Sequence, residues 1–148
     1  RIRLAAAILS DMAWRVHPDY RGEHSLGAIL HAPFGNILQG ERALLALILF
    51  TRYAGTASDP VAAPAWQLLN GEEIEYALRV GLAIRLAQTL SGGVPGILHD
   101  CRLRPNGNGI LLELPAQHAA LDGEAVQRRT EALGKALGRS SEVRVLKR

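Results

Sequence analysis

The spacing of the apolar residues changes once along the chain, and this change constrains the fold more than any other feature. Apolar residues recur at helical intervals up to residue 92, whereas beyond residue 100 they alternate with polar ones. Gly92-Gly93 and Pro95-Gly96 lie at the break, and such residues end helices. The pattern therefore predicts a mainly α fold, with a helical body over residues 1–92 and a small β-β-α-β appendage over residues 93–148.

Four helices are predicted in the helical body, and the third is the strongest. Residues 39–53 are almost solidly apolar, which is typical of a helix buried on most sides. In the fourth helix, Glu75 and Arg79 stand four residues apart and can form a supporting ion pair. A loop rich in Gly, Ser, Asp and Pro covers residues 54–64. The predicted helices span residues 2–14, 24–32, 39–53 and 72–91.

Alternating residues predict three strands and one helix in the appendage. A turn over residues 105–109 joins strands at 101–104 and 110–114 into a hairpin, because its Asn and Gly residues tolerate positive φ. Asp122 is predicted to cap the following helix and Gly138 to end it. A third strand is predicted over residues 142–146. The helix spans residues 124–137 and is expected to turn Val126, Leu133 and Leu137 inward.

The composition excludes several classes of protein. Hydrophobic residues make up 48% of the chain, so disorder is not expected. Cys101 is the single cysteine, which rules out internal disulfides and agrees with a reducing compartment such as the cytoplasm. No apolar run approaches the roughly 20 residues that span a bilayer. Because residues 4–9 look like the middle of a helix without a cap, we expect the natural chain to continue upstream.

The charge balance permits an anionic partner without requiring one. The formal net charge is +3, and all but two of the basic residues are arginine. This modest excess would tolerate an anionic partner such as a phosphate polymer, a nucleotide or a nucleic acid. The tryptophans and tyrosines are scattered, so no platform for stacking bases, and hence no nucleic-acid partner, is predicted. The sequence also lacks a Gly-rich phosphate loop, a nucleophile elbow and a cysteine ligand cluster.

Two histidines could belong to a metal site. His24 and His31 are seven residues apart and share one helix face, but zinc needs at least three protein ligands. Asp11 or Asp19 could complete the set, and ordinary polar or capping histidines are the alternative. His99-Asp100 has the dipeptide of HD-type phosphohydrolases, yet it is predicted to lead into a strand, whereas that chemistry needs the pair on a core helix. We therefore interpret this dipeptide as a coincidence.

The first part of the chain resembles a known family. The similarity is carried by AAAILSDMAWRVHPDYRGEHSL at residues 5–26 and by residues 29–32, 42–47 and 52–53. These segments are similar to the C-terminal region of the exopolyphosphatase / guanosine pentaphosphate phosphohydrolase family. Weaker similarity follows the fourth helix, the hairpin and the fifth helix. The resemblance therefore covers nearly the whole chain.

The resemblance implies that catalysis and substrate holding lie in different parts of the parent enzyme. Family members place two actin-like lobes before a helical C-terminal region that is similar to HD domains. Mg²⁺ and a glutamate that activates water act between those lobes, so no catalytic residue, metal ligand or cofactor is expected in this chain. The C-terminal region closes over the cleft, lines a basic passage for polyphosphate and contributes to a homodimer. Ser10-Asp11 stands where an HD metalloenzyme has His-Asp, and serine does not replace that imidazole.

Five residues in or beside the best-matched segment are the candidate contacts for polyphosphate. Arginine holds phosphate through charge-assisted hydrogen bonds. The alternative is that these arginines cap helix C-termini or pair with Asp11, Asp19 and Glu23. The candidates are Arg15, His17, Arg21, His24 and Arg52.

Three functions are compatible with the sequence. The first is an accessory domain of an exopolyphosphatase-type phosphohydrolase that acts on polyphosphate or guanosine pentaphosphate. Its partners would be the upstream lobes and a second copy, with no membrane involved. The second is an autonomous HD-like, metal-dependent nucleotide phosphohydrolase with its metal at Asp11, His24 and His31. The third is a pure oligomerisation module without a ligand.

Overall fold

The computed structural model describes residues 1–147, which form two compact units. The first unit is Arg1–Ile84, and the second begins at Arg85. Helices dominate the first unit, and a three-stranded sheet lies in the second. The predicted fold class, a mainly α chain ending in a β-β-α-β segment, is therefore confirmed. No helix among residues 1–147 is long and apolar enough to cross a membrane.

The first unit is built around one buried helix. Residues 45–51 of this helix are all buried, as the solidly apolar sequence predicted. Burial of aliphatic surface at about 25 cal/mol per Å² makes it the main source of stability for this unit. The helices that begin in the unit are α1 (Ile2–Leu9), α2 (Arg21–His31), the buried α3 (Gln39–Ala54), α4 (Ala63–Trp66) and α5 (Gly71–Ser91).

A close approach of helices fixes α5 against α3. A Cβ added at Gly81 would lie 2.5 Å from the Thr51 Cβ and 2.8 Å from the Ile48 carbonyl oxygen. Only glycine permits this separation, because distances under 3.0 Å are steric clashes. Earlier on α5, Arg79 donates to Glu75 at 2.6 Å, so the predicted i,i+4 pair is confirmed.

The first two helices differ from their predicted bounds. The first was predicted to reach residue 14 but ends at Leu9, because the Ser10 hydroxyl donates to the Ala7 carbonyl oxygen and residues 10–16 continue as tight turns. The second begins at Arg21 and not at residue 24 or 25. A 3₁₀ turn at Pro18–Tyr20 leads directly into it. The segment 54–64, predicted to be a loop, contains a second such turn at Pro60–Ala62 and the start of α4.

The second unit contains the sheet. A short helix, α6 (Ile97–Asp100), precedes β1 (Arg102–Asn106), which pairs antiparallel with β2 (Gly109–Leu114) through the predicted turn. A 3₁₀ segment (Ala116–Leu121) and α7 (Glu124–Ala136) connect β2 to β3 (Ser140–Val145). The strand β3 runs parallel to β2, from Gly109 opposite Ser140 to Leu114 opposite Val145. A parallel neighbour needs such a crossover helix.

Helix α7 covers one face of the sheet. A Cβ added at Gly134 would lie 3.0 Å from the Ser141 Cβ, so the odd-numbered residues of β3 face α7 and the even-numbered ones face away.

Two details of the prediction for α7 are wrong. Leu137 lies after the last helical residue and is 38% exposed. Gly123 occupies the N-cap position, and the Asp122 carboxylate instead accepts a hydrogen bond from Gln127 at 3.1 Å.

Candidate functional site

The segment between α1 and α2 is held in shape by Arg21. Its Nε donates to the Val16 carbonyl oxygen at 2.9 Å and its Nη2 donates to the Trp14 carbonyl oxygen at 2.9 Å. These bonds satisfy carbonyls that no helix ladder uses. Arg21 thus fastens the segment to the start of α2, and residues 10–20 are called the arginine-anchored loop from here on.

The end of α3 also holds the arginine-anchored loop. The Ala13 amide donates to the Tyr53 hydroxyl oxygen at 3.1 Å. Arg52 lies beside it, with its guanidinium 4.1 Å from the Tyr53 ring centroid and its Nη2 at 3.8 Å from Asp11 Oδ1. The Arg52 side chain is only 15% exposed. Burial lowers the pKa of Arg52, and the nearby positive charge of Arg21 lowers it further, while Asp11 opposes this shift.

Two of the predicted contacts are exposed on the loop. The guanidinium of Arg15 lies 4.9 Å from the Trp14 ring centroid, so its charge rests on an aromatic face and stays open to water. The His17 ring packs at 5.9 Å from the Tyr20 ring, and its Nδ1 accepts from the Asp19 amide at 3.4 Å. Both side chains can therefore meet an anion from solvent.

The five predicted residues thus lie in one region of the first unit, but they differ in exposure and in hydrogen bonding. Arg15 and His17 are exposed, and His24 is exposed on α2, one turn after Arg21. Two donors of Arg21 are occupied by backbone carbonyls. The Arg52 side chain is mostly buried, with its guanidinium Nη2 3.8 Å from Asp11 Oδ1. Direct phosphate contact by each of the five stays a prediction.

The metal site of the second sequence hypothesis is not assembled in the described part of the chain. His24 and His31 lie on α2 as predicted, and both are exposed. Among residues 1–147, no three His, Cys, Asp or Glu side chains come together closely enough to hold a metal ion. The described residues therefore offer no fitting donor set for the Mg²⁺ that the resemblance assigns to the parent enzyme.

The dipeptide His99-Asp100 has a structural partner that the sequence did not reveal. It lies in α6, a single helical turn, where Asp100 accepts from His118 Nε2 at 3.0 Å and from Gln117 Nε2 at 2.9 Å. These bonds join α6 to the 3₁₀ segment within the second unit. Eighteen residues separate Asp100 from His118, and no local pattern signals such a contact.

A second group that the sequence missed lies on the sheet face opposite α7. Arg104 on β1 donates through Nε to Glu113 Oε2 at 2.9 Å and through Nη2 to the other carboxylate oxygen. Arg102, Glu113 and Arg144 are register partners across the three strands. The Arg104 hydrogen bonds hold the pKa of Glu113 below its usual value, and the charges of Arg144 and Arg102 act in the same direction.

The two units carry opposite net charge. Residues 1–84 include seven basic and eight acidic residues, giving −1, whereas residues 85–148 include ten basic and six acidic residues, giving +4. These values add to the +3 of the whole chain. The predicted phosphate contacts therefore lie in the unit without the charge excess.

Comparison with known proteins identifies the family. No curated protein is similar enough to this chain to be matched to it. A family model described as "Exopolyphosphatase, C-terminal" matches residues 1–143, which include all of the elements described above except the last residues of β3. The chain therefore belongs to the exopolyphosphatase C-terminal family.

Proposed function

We propose that this chain is the accessory C-terminal domain of a cytoplasmic exopolyphosphatase-type phosphohydrolase, and that it holds an anionic phosphate chain for the parent enzyme. The parent would remove the terminal phosphate of polyphosphate or guanosine pentaphosphate by Mg²⁺-dependent hydrolysis in actin-like lobes. The family match over residues 1–143 carries the proposal. The single free cysteine agrees with the cytoplasm. The domain alone should release no phosphate from polyphosphate in the presence of Mg²⁺.

The arginine-anchored loop supplies the proposed contacts. Arg15 and His17 are exposed on a segment that Arg21 and Tyr53 hold by hydrogen bonds. A fixed loop presents its donors without losing much conformational entropy when an anion binds. The guanidinium of Arg15 can form charge-assisted hydrogen bonds to phosphate oxygens, and these bonds need no particular sequence or end group.

The remaining three candidates have different proposed roles. Arg21 acts chiefly as a positioning residue, because two of its donors already hold loop carbonyls. Arg52 contributes positive charge from a mostly buried position, where water screens it less than at the surface. His24 extends the contact along α2 by donating a ring N–H to a phosphate oxygen. The likeness of the helical body to HD domains is a further part of the proposal.

The test is binding of long-chain polyphosphate to this chain at low and moderate salt. Replacing Arg15 and His17 together by alanine should weaken binding about two- to thirtyfold, since exposed charge pairs contribute roughly 0.2–1 kcal/mol each. The control is Arg128→Ala, which removes another exposed arginine, on α7 in the second unit. Equal losses of polyphosphate affinity in both variants would show diffuse attraction to a basic surface and would refute the loop as the binding site.

A second function, self-association, is also part of this proposal. The third sequence hypothesis was an oligomerisation module, and a homodimer was expected for the first. The free edge of β3 favours it, because an edge strand exposes unpaired backbone donors and acceptors.

A further inference from the structure

The edge of the sheet at β3 presents backbone N–H and C=O groups for pairing. The strand order is β1-β2-β3, so β3 has a strand neighbour on one side within the described residues. The Leu146 amide donates to the Leu114 carbonyl oxygen at 2.8 Å, so residue 146 points toward β2. Because successive residues of a strand point their N–H and C=O groups to alternate sides, Ser141, Val143 and Val145 point theirs to the free edge.

Space for another strand lies beside this edge. A groove of about 720 Å³ runs between α7 and β3. Gln127, Glu131 and Lys135 line it from α7, and residues 138–143 line it from the other side. These α7 side chains are polar and exposed, so the groove suits a hydrated strand edge better than an apolar helix.

The charges on β3 are self-complementary. Glu142 and Arg144 lie on the sheet face away from α7, about half exposed, and Arg144 Nη2 donates to Glu142 Oε1 at 2.8 Å. Edge strands avoid self-pairing when they carry charges that would repel those of a second copy. Here one charge of each sign stands two residues apart, an arrangement that two antiparallel copies can match.

We propose that β3 pairs antiparallel with β3 of a second copy about a two-fold axis at Val143, joining two sheets into one of six strands. This names the surface for the self-association in the proposed function. Val143 would face its own equivalent, and Ser141 would face the equivalent of Val145. These are hydrogen-bonded pairs, since all three residues point their backbone groups outward.

This register is selected by charge. With the axis at Val143, Glu142 of each copy lies opposite Arg144 of the other. This pair occupies a non-hydrogen-bonded site, where side chains across the strands are closest. Moving the axis by one residue in either direction keeps the outward groups paired, but it places Glu142 opposite Glu142 or Arg144 opposite Arg144. Like charges directly opposite are destabilising, so the Val143 register is preferred.

Charge reversals test the interface through the oligomeric state. Sedimentation velocity of the chain over a range of concentrations should show a dimer. Glu142→Arg and Arg144→Glu should each weaken it about tenfold or more, because each change places like charges at both pairs. Both side chains are about half exposed, and thermal melts check that each reversal leaves the fold intact. Arg128→Glu, a reversal of an exposed α7 charge, is the matched control and should leave the dimer unchanged.

Two further samples identify the register. An equimolar mixture of the Glu142→Arg and Arg144→Glu proteins should form a heterodimer, because one β3 then carries two positive charges and the other two negative ones. The protein with both reversals should dimerise as the unchanged chain does. A monomer at every concentration, or a dimer insensitive to both single reversals, would overturn the proposal. Polyphosphate binding is measured separately at the arginine-anchored loop, so loss of one function does not imply loss of the other.

Discussion

The arginines at the loop of the first unit and those on the sheet of the second unit have different partners. In the first unit, whose net charge is −1, Arg21 bonds to loop carbonyls and Arg52 stacks on an aromatic ring. In the second unit, whose net charge is +4, Arg104 and Arg144 pair with glutamates on the sheet face away from α7. The family resemblance is densest in the first unit. A charge count alone would therefore favour an anion site in the second unit, whereas the exposed donors of a fixed loop favour one in the first.

The largest effect should come from the packing of the first unit. Replacing Gly81 by alanine puts a Cβ 2.5 Å from Thr51 and 2.8 Å from a backbone oxygen of α3, so α5 must move. Overpacking of this kind should lower the free energy of unfolding by about 2–3 kcal/mol, measured by chemical denaturation.

The matched control for Gly81 is another helical glycine. Gly27 on α2 has nothing within 4 Å of an added Cβ, so Gly27→Ala should raise the free energy of unfolding by about 0.5–1 kcal/mol. Equal effects at the two glycines would contradict the tight contact between α5 and α3.

Substitutions of Arg21 and of Arg15 should distinguish the arginine that anchors the loop from the one that is exposed on it. Arg21→Ala removes two hydrogen bonds to backbone carbonyls and should lower the free energy of unfolding by about 1–2 kcal/mol. Arg15→Ala removes an exposed side chain and should change it by less than about 0.5 kcal/mol. Thermal and chemical denaturation of both proteins check this, and the reverse order would refute Arg21 as the anchor.

Lowering the pH should weaken the ion pair between Arg104 and Glu113 in the second unit. The pKa of Glu113 is lowered from its ordinary value of 4.5, chiefly by the Arg104 hydrogen bond. A group with a lowered folded-state pKa contributes its full stability above that ordinary value and loses it as the pH falls through the folded pKa. NMR titration of the Glu113 carboxyl should show the low pKa. Arg104→Ala should raise it, and an unchanged pKa in that variant would contradict the assigned cause.

The sequence predicted those elements that local chemistry determines. Helix α3 followed from an uninterrupted apolar run, and the hairpin followed from Asn and Gly residues that accept the turn, with Gly107 at φ 56°. The crossover order β-β-α-β followed from the change in period. The short helices α4 and α6 were missed, because four residues are too few to show a helical period.

Side-chain contacts between distant residues could not be predicted. The anchoring bonds of Arg21, the Tyr53 contact to the loop and the pair of Asp100 with His118 all depend on tertiary folding. The sequence identified Arg21 as a candidate through family likeness but gave no sign that its donors are occupied. From the sequence, the excess of basic residues could be assigned only to the chain as a whole. The boundary between the two units, at residue 84, lies inside one continuous helix and leaves no sign in the sequence.

The arginine-anchored loop, and not the more basic second unit, is proposed to meet the phosphate chain. Amide chemical-shift mapping during titration with long-chain polyphosphate at moderate salt tests this central claim most directly. We predict that the shifts concentrate at Arg15, His17 and their loop neighbours and extend to Arg52. Shifts concentrated instead on α7 and the sheet of the second unit, around Arg102 and Arg128, would contradict it.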